Sequence, residues 1–168
     1  IGYLLLMSLT VVSCNSQTRD LKIVSEDIVI VNCGVRNRLG ISKMLNVISS
    51  LNPRVVALDL NFREQRDPYQ DSLLIVGLDN CKNLVMSSLI DDYWGEKDTT
   101  YSELTGTLPE FLTNAQIGFT NAVVENDEFL TLKRFSSYEK MNGFTMYHFA
   151  VRTAMSFDSI KTIHYLKG

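Results

Sequence analysis

The chain has 168 residues, 45% of them apolar, with 16 lysines and arginines against 19 aspartates and glutamates, a formal charge of -3 and a pI near 5.4. That length predicts one domain with one sizeable core. The acidic balance, with both signs interspersed, excludes the basic stripe that neutralises phosphates, so no nucleic-acid partner is expected.

The first twelve residues, IGYLLLMSLTVV, form an apolar run that ends in Ser13 and Cys14. The run matches the ~7–15 apolar residues of an export signal and falls short of the ~17–25 that span a bilayer. Val11-Val12-Ser13-Cys14 has the order of a bacterial lipobox, which makes Cys14 the expected lipidation site. The sequence starts at Ile1 with no basic segment ahead of the apolar run, as a reading frame truncated at its start would. Residues 15–26, NSQTRDLKIVSE, read as a polar tether, and a single α/β domain is expected over 27–168.

Residues 28–33, IVIVNC, are an aliphatic strand expected to be buried on both faces, as in a parallel sheet, with Gly34 closing it. After the basic loop VRNRLG, the residues Ile41, Met44, Leu45, Ile48 and Leu51 recur with helical spacing, and Asn52-Pro53 stops that helix. RVVALDL at 54–60 is a second buried strand. A strand–helix–strand unit of this size calls for a parallel pair with a right-handed crossover, hence a three-layer α/β sandwich with a mostly parallel central sheet. Asp67 as N-cap, Pro68 at N1 and Gln70 at N3 form a capping box for a helix that carries Leu74 and Leu78 into the core. A third strand follows at 83–90, NLVMSSLI.

Residues 91–117, rich in acid, threonine and glycine, show no period and read as a long excursion, either functional or an insertion of no consequence. An antiparallel hairpin is expected at 118–135, with GFTNAVV, a turn at Glu125-Asn126-Asp127, and FLTLKRF. The spacing of Phe144, Tyr147, His148, Val151 and Met155 predicts a helix at about 143–157. IKTIHYL supplies a final short strand.

In open parallel sheets ligands sit beyond the carboxyl ends of the strands. Those ends carry Asn32, Asp59 with Asn61, and Ser87 with Ser88, a polar cluster and the candidate small-molecule site. The structural alternative is that Asp59 caps a turn or pairs with Arg36, Arg38 or Arg134. Asp71, in the first turn of its helix, is favoured there by the helix dipole alone. Asp59-x-Asn61 has the outline of the paired aspartates of some phosphatases, but Asn61 cannot pass a proton and no lysine and acid set follows. With no GxSxG, CxxC or HExxH spacing either, neither catalysis, cofactor nor metal is expected. Asp91-Asp92 offers oxygens to a cation or to solvent.

Lipidation of Cys14 would leave Cys33 and Cys81, as an oxidised pair or as two separate buried thiols. His148 reads as a core residue and His164 has no acid partner nearby. Tyr93, Trp94 and Tyr101 either stack on a ligand or form a local mini-core.

Taken in order, DIVIVN, a helix, PRVVALDLNF, DSLL, GFTN, a hairpin with Lys133-Arg134-Phe135, and GFTMYHFAVRTA resemble the CHASE-type sensor domains, specifically the second type in that series. The resemblance spans residues 27–160. It implies an extracellular sensor domain, of the kind found outside the membrane in bacterial cyclases, kinases and phosphodiesterases. By the family pattern Asp59 closes the second strand, Asp71 opens the next helix, Gly118 and Asn121 form the glycine–asparagine motif, and Arg134 is the arginine of the hairpin. Asp71, Asn121 and Arg134 thereby join Asn32, Asp59, Asn61 and Ser87 as candidate ligand-binding residues. Family members typically precede membrane helices and an output module, whereas this sequence starts with a lipobox and ends at Gly168. The expectation is a periplasmic or cell-surface lipoprotein whose sensor-like domain binds a small molecule or a partner protein and is anchored to the membrane by lipid on Cys14. The alternative is the input domain of a truncated transmembrane signalling protein, a cyclase or histidine kinase.

Overall fold

A computed structural model of the chain describes residues 4–7, 28–93, 100–124 and 132–167; at 4–7, 123–124 and 132–134 the description is of the backbone alone. Aliphatic segments form the sheet. Leu4–Met7 (β1), Ile28–Val31 (β2), Val55–Leu58 (β3), Leu84–Ile90 (β4) and Gln116–Phe119 (β7) all run parallel to their neighbours, in the order β2-β1-β3-β4-β7. Two short strands precede β7, Thr100–Tyr101 (β5) and Leu104–Thr105 (β6), and β6 pairs antiparallel with the end of β4.

Side chains alternate across a strand, so β3 and β4 supply both faces of the sheet. Val56, Leu58, Leu84 and Met86 meet the buried stripe of Arg38–Ser50 (α1), namely Ile41, Leu45 and Ile48, with Leu74 and Leu78 of Pro68–Asp79 (α2). Val55, Ala57 and Val85 face the other way, onto Phe149 of Phe149–Phe157 (α3). The result is the expected three-layer α/β sandwich with a mostly parallel sheet.

The helix starts follow the sequence signals. The Asn37 side chain accepts the Gly40 N–H at 2.9 Å and opens α1, and Asp67 accepts the Gln70 N–H at 2.8 Å and opens α2. The capping box at α2 is half made, because Gln70 Oε1 turns towards the Leu39 N–H, 3.5 Å away. Asn52 ends α1 with a positive φ of 52°, a conformation that Asn tolerates better than most residues.

Leu4–Met7, which fall within the expected export signal over 1–14, stand in the sheet, in parallel register with β2 and with β3. Cys14 and the tether at 15–26 lie outside the described residues. Three expectations need correction. The strand at 28–33 is predicted to be buried on both faces, yet β2 is outermost and Ile28, Val29 and Ile30 are 42%, 43% and 66% exposed. The physical reason is that β1 takes the place beside β3 that a simple crossover would give β2.

The second correction concerns 118–135. A hairpin exists, Val123–Val124 (β8) against Leu132–Arg134 (β9), but Gly118 and Phe119 belong to β7 in the parallel sheet. Its turn, 125–131, lies outside the described residues.

The third concerns the C-terminal part. Residues 144–147 are not helical: Tyr138–Met141 (β10) and Phe144–Tyr147 (β11) form a hairpin around Asn142 and Gly143, both with positive φ. Asn-Gly is the strongest short signal for that turn, and it overrides the helical spacing of the apolar residues around it. The predicted final strand is instead a helix, Ser159–Lys167 (α4), which has no buried residue. Asp158, extended at φ -151° and ψ 93°, ends α3, and its side chain accepts the Lys161 N–H at 3.0 Å to begin α4.

Candidate functional site

Alternation along β4 splits the predicted cluster: Ser87, beside Gly118, falls on the α3 side, and Ser88 falls on the other, near Asn61 of the loop after β3. A Cβ placed on Gly106 would lie 3.3 Å from Ser88 Cβ and 3.5 Å from Asn61 Oδ1, which locates those two side chains together.

On the α1–α2 side the loops after β2 and β3 enclose a cleft of about 190 Å³. Its walls include Arg36, Arg38, Asn61, Arg63, Glu64 and Arg66, over apolar Ile41, Leu60 and Phe62. Arg38 is buried and spoken for: its guanidinium donates to Asp71 and to the Glu64 carbonyl, and stacks 4.9 Å from the Phe111 ring and 5.9 Å from that of Phe62. Burial opposes ionisation of Asp71, but hydrogen bonds from Arg38 and from the Arg66 N–H (2.8 Å), with both positive charges, hold its pKa below the ordinary value. Asp71 is therefore the cleft's foundation; its partner is Arg38, which also removes Arg38 as a partner for Asp59.

Arg66 pairs with Glu64 at 2.8 Å in an exposed ion pair. Glu110 accepts from Gln65 Nε2 at 2.8 Å, which with the nearby Arg38 charge lowers its pKa against burial. Arg36 and Arg63 are exposed and have no acidic partner among the described residues. Asn61 Oδ1 is buried, with no hydrogen-bond partner among the described residues. Such an orphaned acceptor typically costs about 1–3 kcal/mol.

The remaining predicted residues are placed as follows. Asn32 accepts the Gly34 N–H at 2.9 Å, closing the turn after β2. Asp59 is half-buried, with no partner among the described residues. Asn121 accepts from the Ile90 N–H (2.7 Å) and donates to the Ile90 carbonyl (2.9 Å), so its amide extends the sheet as a strand residue would. Arg134 ends β9 opposite Val123, and its side chain lies outside the description. Asp91 accepts from Thr105. No group of three or more His, Cys, Asp or Glu able to hold a metal occurs among the described residues.

A second polar set lies under α3. Ser87 Oγ, Arg152 Nε and Ser156 Oγ are buried without partners among the described residues, and the Arg152 guanidinium stacks 4.9 Å from the Tyr147 ring. Gly118, beside Ser87 in register, brings β7 against α3: a Cβ there would stand 2.6 Å from Phe149 Cα. His148 accepts the Ala150 N–H at 3.2 Å, and burial lowers its pKa. Tyr93 and Tyr101 pack with Phe119, ring centroids 5.3 and 6.2 Å from Tyr93, in a local core; burial and the Glu139 hydrogen bond raise the Tyr93 pKa. Trp94 lies outside the described residues. Cys33 and Cys81 are free, buried thiols, and burial pushes Cys81 up to about 11.

Arg63 and Arg66 went unsingled by sequence reasoning. The available signal is R-x-R at 36–38 and R-x-x-R at 63–66, two arginine pairs in consecutive strand-end loops.

A family model described as the CHASE2 domain matches residues 25–166. No curated protein and no solved structure matches the chain.

Proposed function

The chain belongs to the CHASE2 family of extracellular sensor domains, and we propose that it binds its signal as a small molecule in the cleft between the loops after β2 and β3, without catalysis. The observation that carries this reading is that an acceptor without a partner, Asn61 Oδ1, and two arginines without an acidic partner, Arg36 and Arg63, all among the described residues, belong to the lining of one strand-end hollow. Polar groups held unpaired in this way are stabilised by a ligand that satisfies them. Asp71 and Arg38 support the cleft from beneath; Asn32 and Asn121 shape turns and strands around it.

The test is a thermal-shift screen of the chain against fractionated metabolite pools. A pool that raises the melting temperature, by mass action on the folded state, supports the reading. Pools that shift nothing overturn it in favour of a protein partner.

The finer reading is a periplasmic or surface lipoprotein anchored through Cys14. In that reading, cleavage before Cys14 removes β1, and β2 is freed to move against β3. Radioactive palmitate incorporated by the parent and lost in Cys14→Ala supports the anchor; equal labelling of both overturns it.

A second reading, the input domain of a transmembrane cyclase or histidine kinase, is favoured by α4, whose Ile160, Ile163, Tyr165 and Leu166 are exposed. The gene beyond the codon for Gly168 decides between them. Apolar segments and an output module support the second reading, and a stop codon removes it.

A further inference from the structure

Resting on the reading of the strand-end cleft as a ligand site, we infer that its ligand is a small oxyanion, carrying a carboxylate or phosphate group held by Arg36 and Arg63.

Charge selects the class. Four arginines line the cleft, and the acids around it are engaged: Asp71 by Arg38, Glu64 by Arg66, and Glu110 by the neutral amide of Gln65. Arg36 and Arg63 are left without a carboxylate among the described residues, one from each loop. A guanidinium presents a planar fork of donors that fits carboxylate and phosphate oxygens in pairs, and two such arginines lining one hollow suit an anion rather than a sugar or a cation.

Size narrows it further. At about 190 Å³ the cleft is below the ~300–1,000 Å³ typical of drug-sized ligands. The apolar strip of Ile41, Leu60 and Phe62 suits a short carbon chain beside the charged group, and Asn61 Oδ1, an acceptor, calls for a donor such as a hydroxyl on that chain or on the phosphate. Arg38 is not a free hand here. Its fixed geometry sets the loop after β3 in place, so that Arg63 need not be ordered anew by each ligand.

Isothermal titration of the chain with inorganic phosphate and with succinate, at constant ionic strength, tests the inference; ribose and betaine serve as neutral and zwitterionic controls. The expected result is binding of phosphate, succinate or both, weakened by added salt. Arg36→Ala with Arg63→Ala should weaken it about tenfold or more, the loss expected of charge-assisted hydrogen bonds. Arg63→Lys should weaken it too, because an ammonium keeps the charge but not the fork. Lys82→Ala, in the loop before β4 at the other end of the sheet, should change it by less than about threefold.

If ribose or betaine binds and the double alanine variant binds it equally well, the cleft is a ligand site and the oxyanion inference is overturned. If the double variant loses binding only to vesicles of anionic lipid, while neither phosphate nor succinate binds the parent, a membrane surface replaces the small oxyanion. If no probe and no metabolite pool binds the parent, the ligand-site reading falls together with the inference.

Discussion

Gly118→Ala measures how closely the sheet and α3 are locked. The added Cβ would stand 2.6 Å from Phe149 Cα and 2.9 Å from Phe149 N, both backbone atoms that cannot rotate aside. Ordinary contact begins at 3.4 Å, so β7 and α3 must part by roughly 0.8 Å. A gap of that order forfeits about a quarter to a half of each dispersion contact across it. Phe149, 6% exposed against Val55, Ala57 and Val85, then loses about 1 kcal/mol of its ~2–3 kcal/mol burial, and overpacking strain adds about 1–3 kcal/mol. The expected total is about 2–4 kcal/mol, or a fall of roughly 5–15 °C in Tm. Urea unfolding followed by circular dichroism should show a lower midpoint with an unchanged slope. Gly106→Ala is the comparison: its nearest neighbour is the Ser88 Cβ at 3.3 Å, and it should cost less. A Gly118→Ala protein within about 0.5 kcal/mol of the parent would refute the close approach.

Asp71→Asn should lower the urea midpoint at neutral pH, by leaving buried Arg38 without its counter-charge. Because the folded pKa of Asp71 lies below its unfolded value, its contribution is complete above about pH 4 and is lost as pH falls through the folded pKa. The variant should accordingly show a shallower acid-side decline in midpoint, measured from about pH 6 down to 2.5; an identical decline in both proteins counts against the pair. With Cys14 replaced by serine, Cys33 and Cys81 should resist a thiol reagent at about pH 8 and react fully in denaturant. Fast labelling of the folded variant would show that one is accessible. N-terminal sequencing of the mature protein should find Cys14 first, and with β1 removed, the amides of Ile28–Val31 should stay protected from hydrogen exchange as β3 replaces β1 beside β2. Retention of Leu4–Met7 in the mature chain contradicts that order of events.

The elements that were legible are those in which local and tertiary preferences agree. The VVAL run of β3, the stripe Ile41-Leu45-Ile48 and the Asp67-Pro68 helix start all have one reading, and the fold uses it. Residues 144–147 had two: Phe144, Tyr147 and His148 fit a helical face, while Asn142-Gly143 demanded a turn before them, and the turn prevailed. IKTIHYL was ambiguous in the same way, because apolar residues at 160, 163 and 166 satisfy a helix as well as a short strand.

At the candidate site, strand ends located Asn61, but not which side of the sheet each neighbour would take. The single-residue alternation that sends Ser87 to α3 and Ser88 towards Asn61 depends on register, which the segment alone does not encode. Arg38, one of three arginines that the sequence offers Asp59, pairs with Asp71, 33 residues away along the chain, a contact made by packing α1 against α2.

The junction at Asp158 has a mechanical consequence. α3 is seated against the sheet through Phe149 and Thr153, whereas α4 buries none of its nine residues, and one extended residue joins them. A helix of that length reaches about 13.5 Å, so a 30° turn about a single torsion of Asp158 would carry its far end through an arc of about 7 Å. About the N–Cα bond, the hydrogen bonds from Lys161 and Thr162 to Asp158 travel with α4, while the Asp158 N–H stays on Ala154 of α3. The domain thus has a stiff base and a pointer whose heading is set at one aspartate.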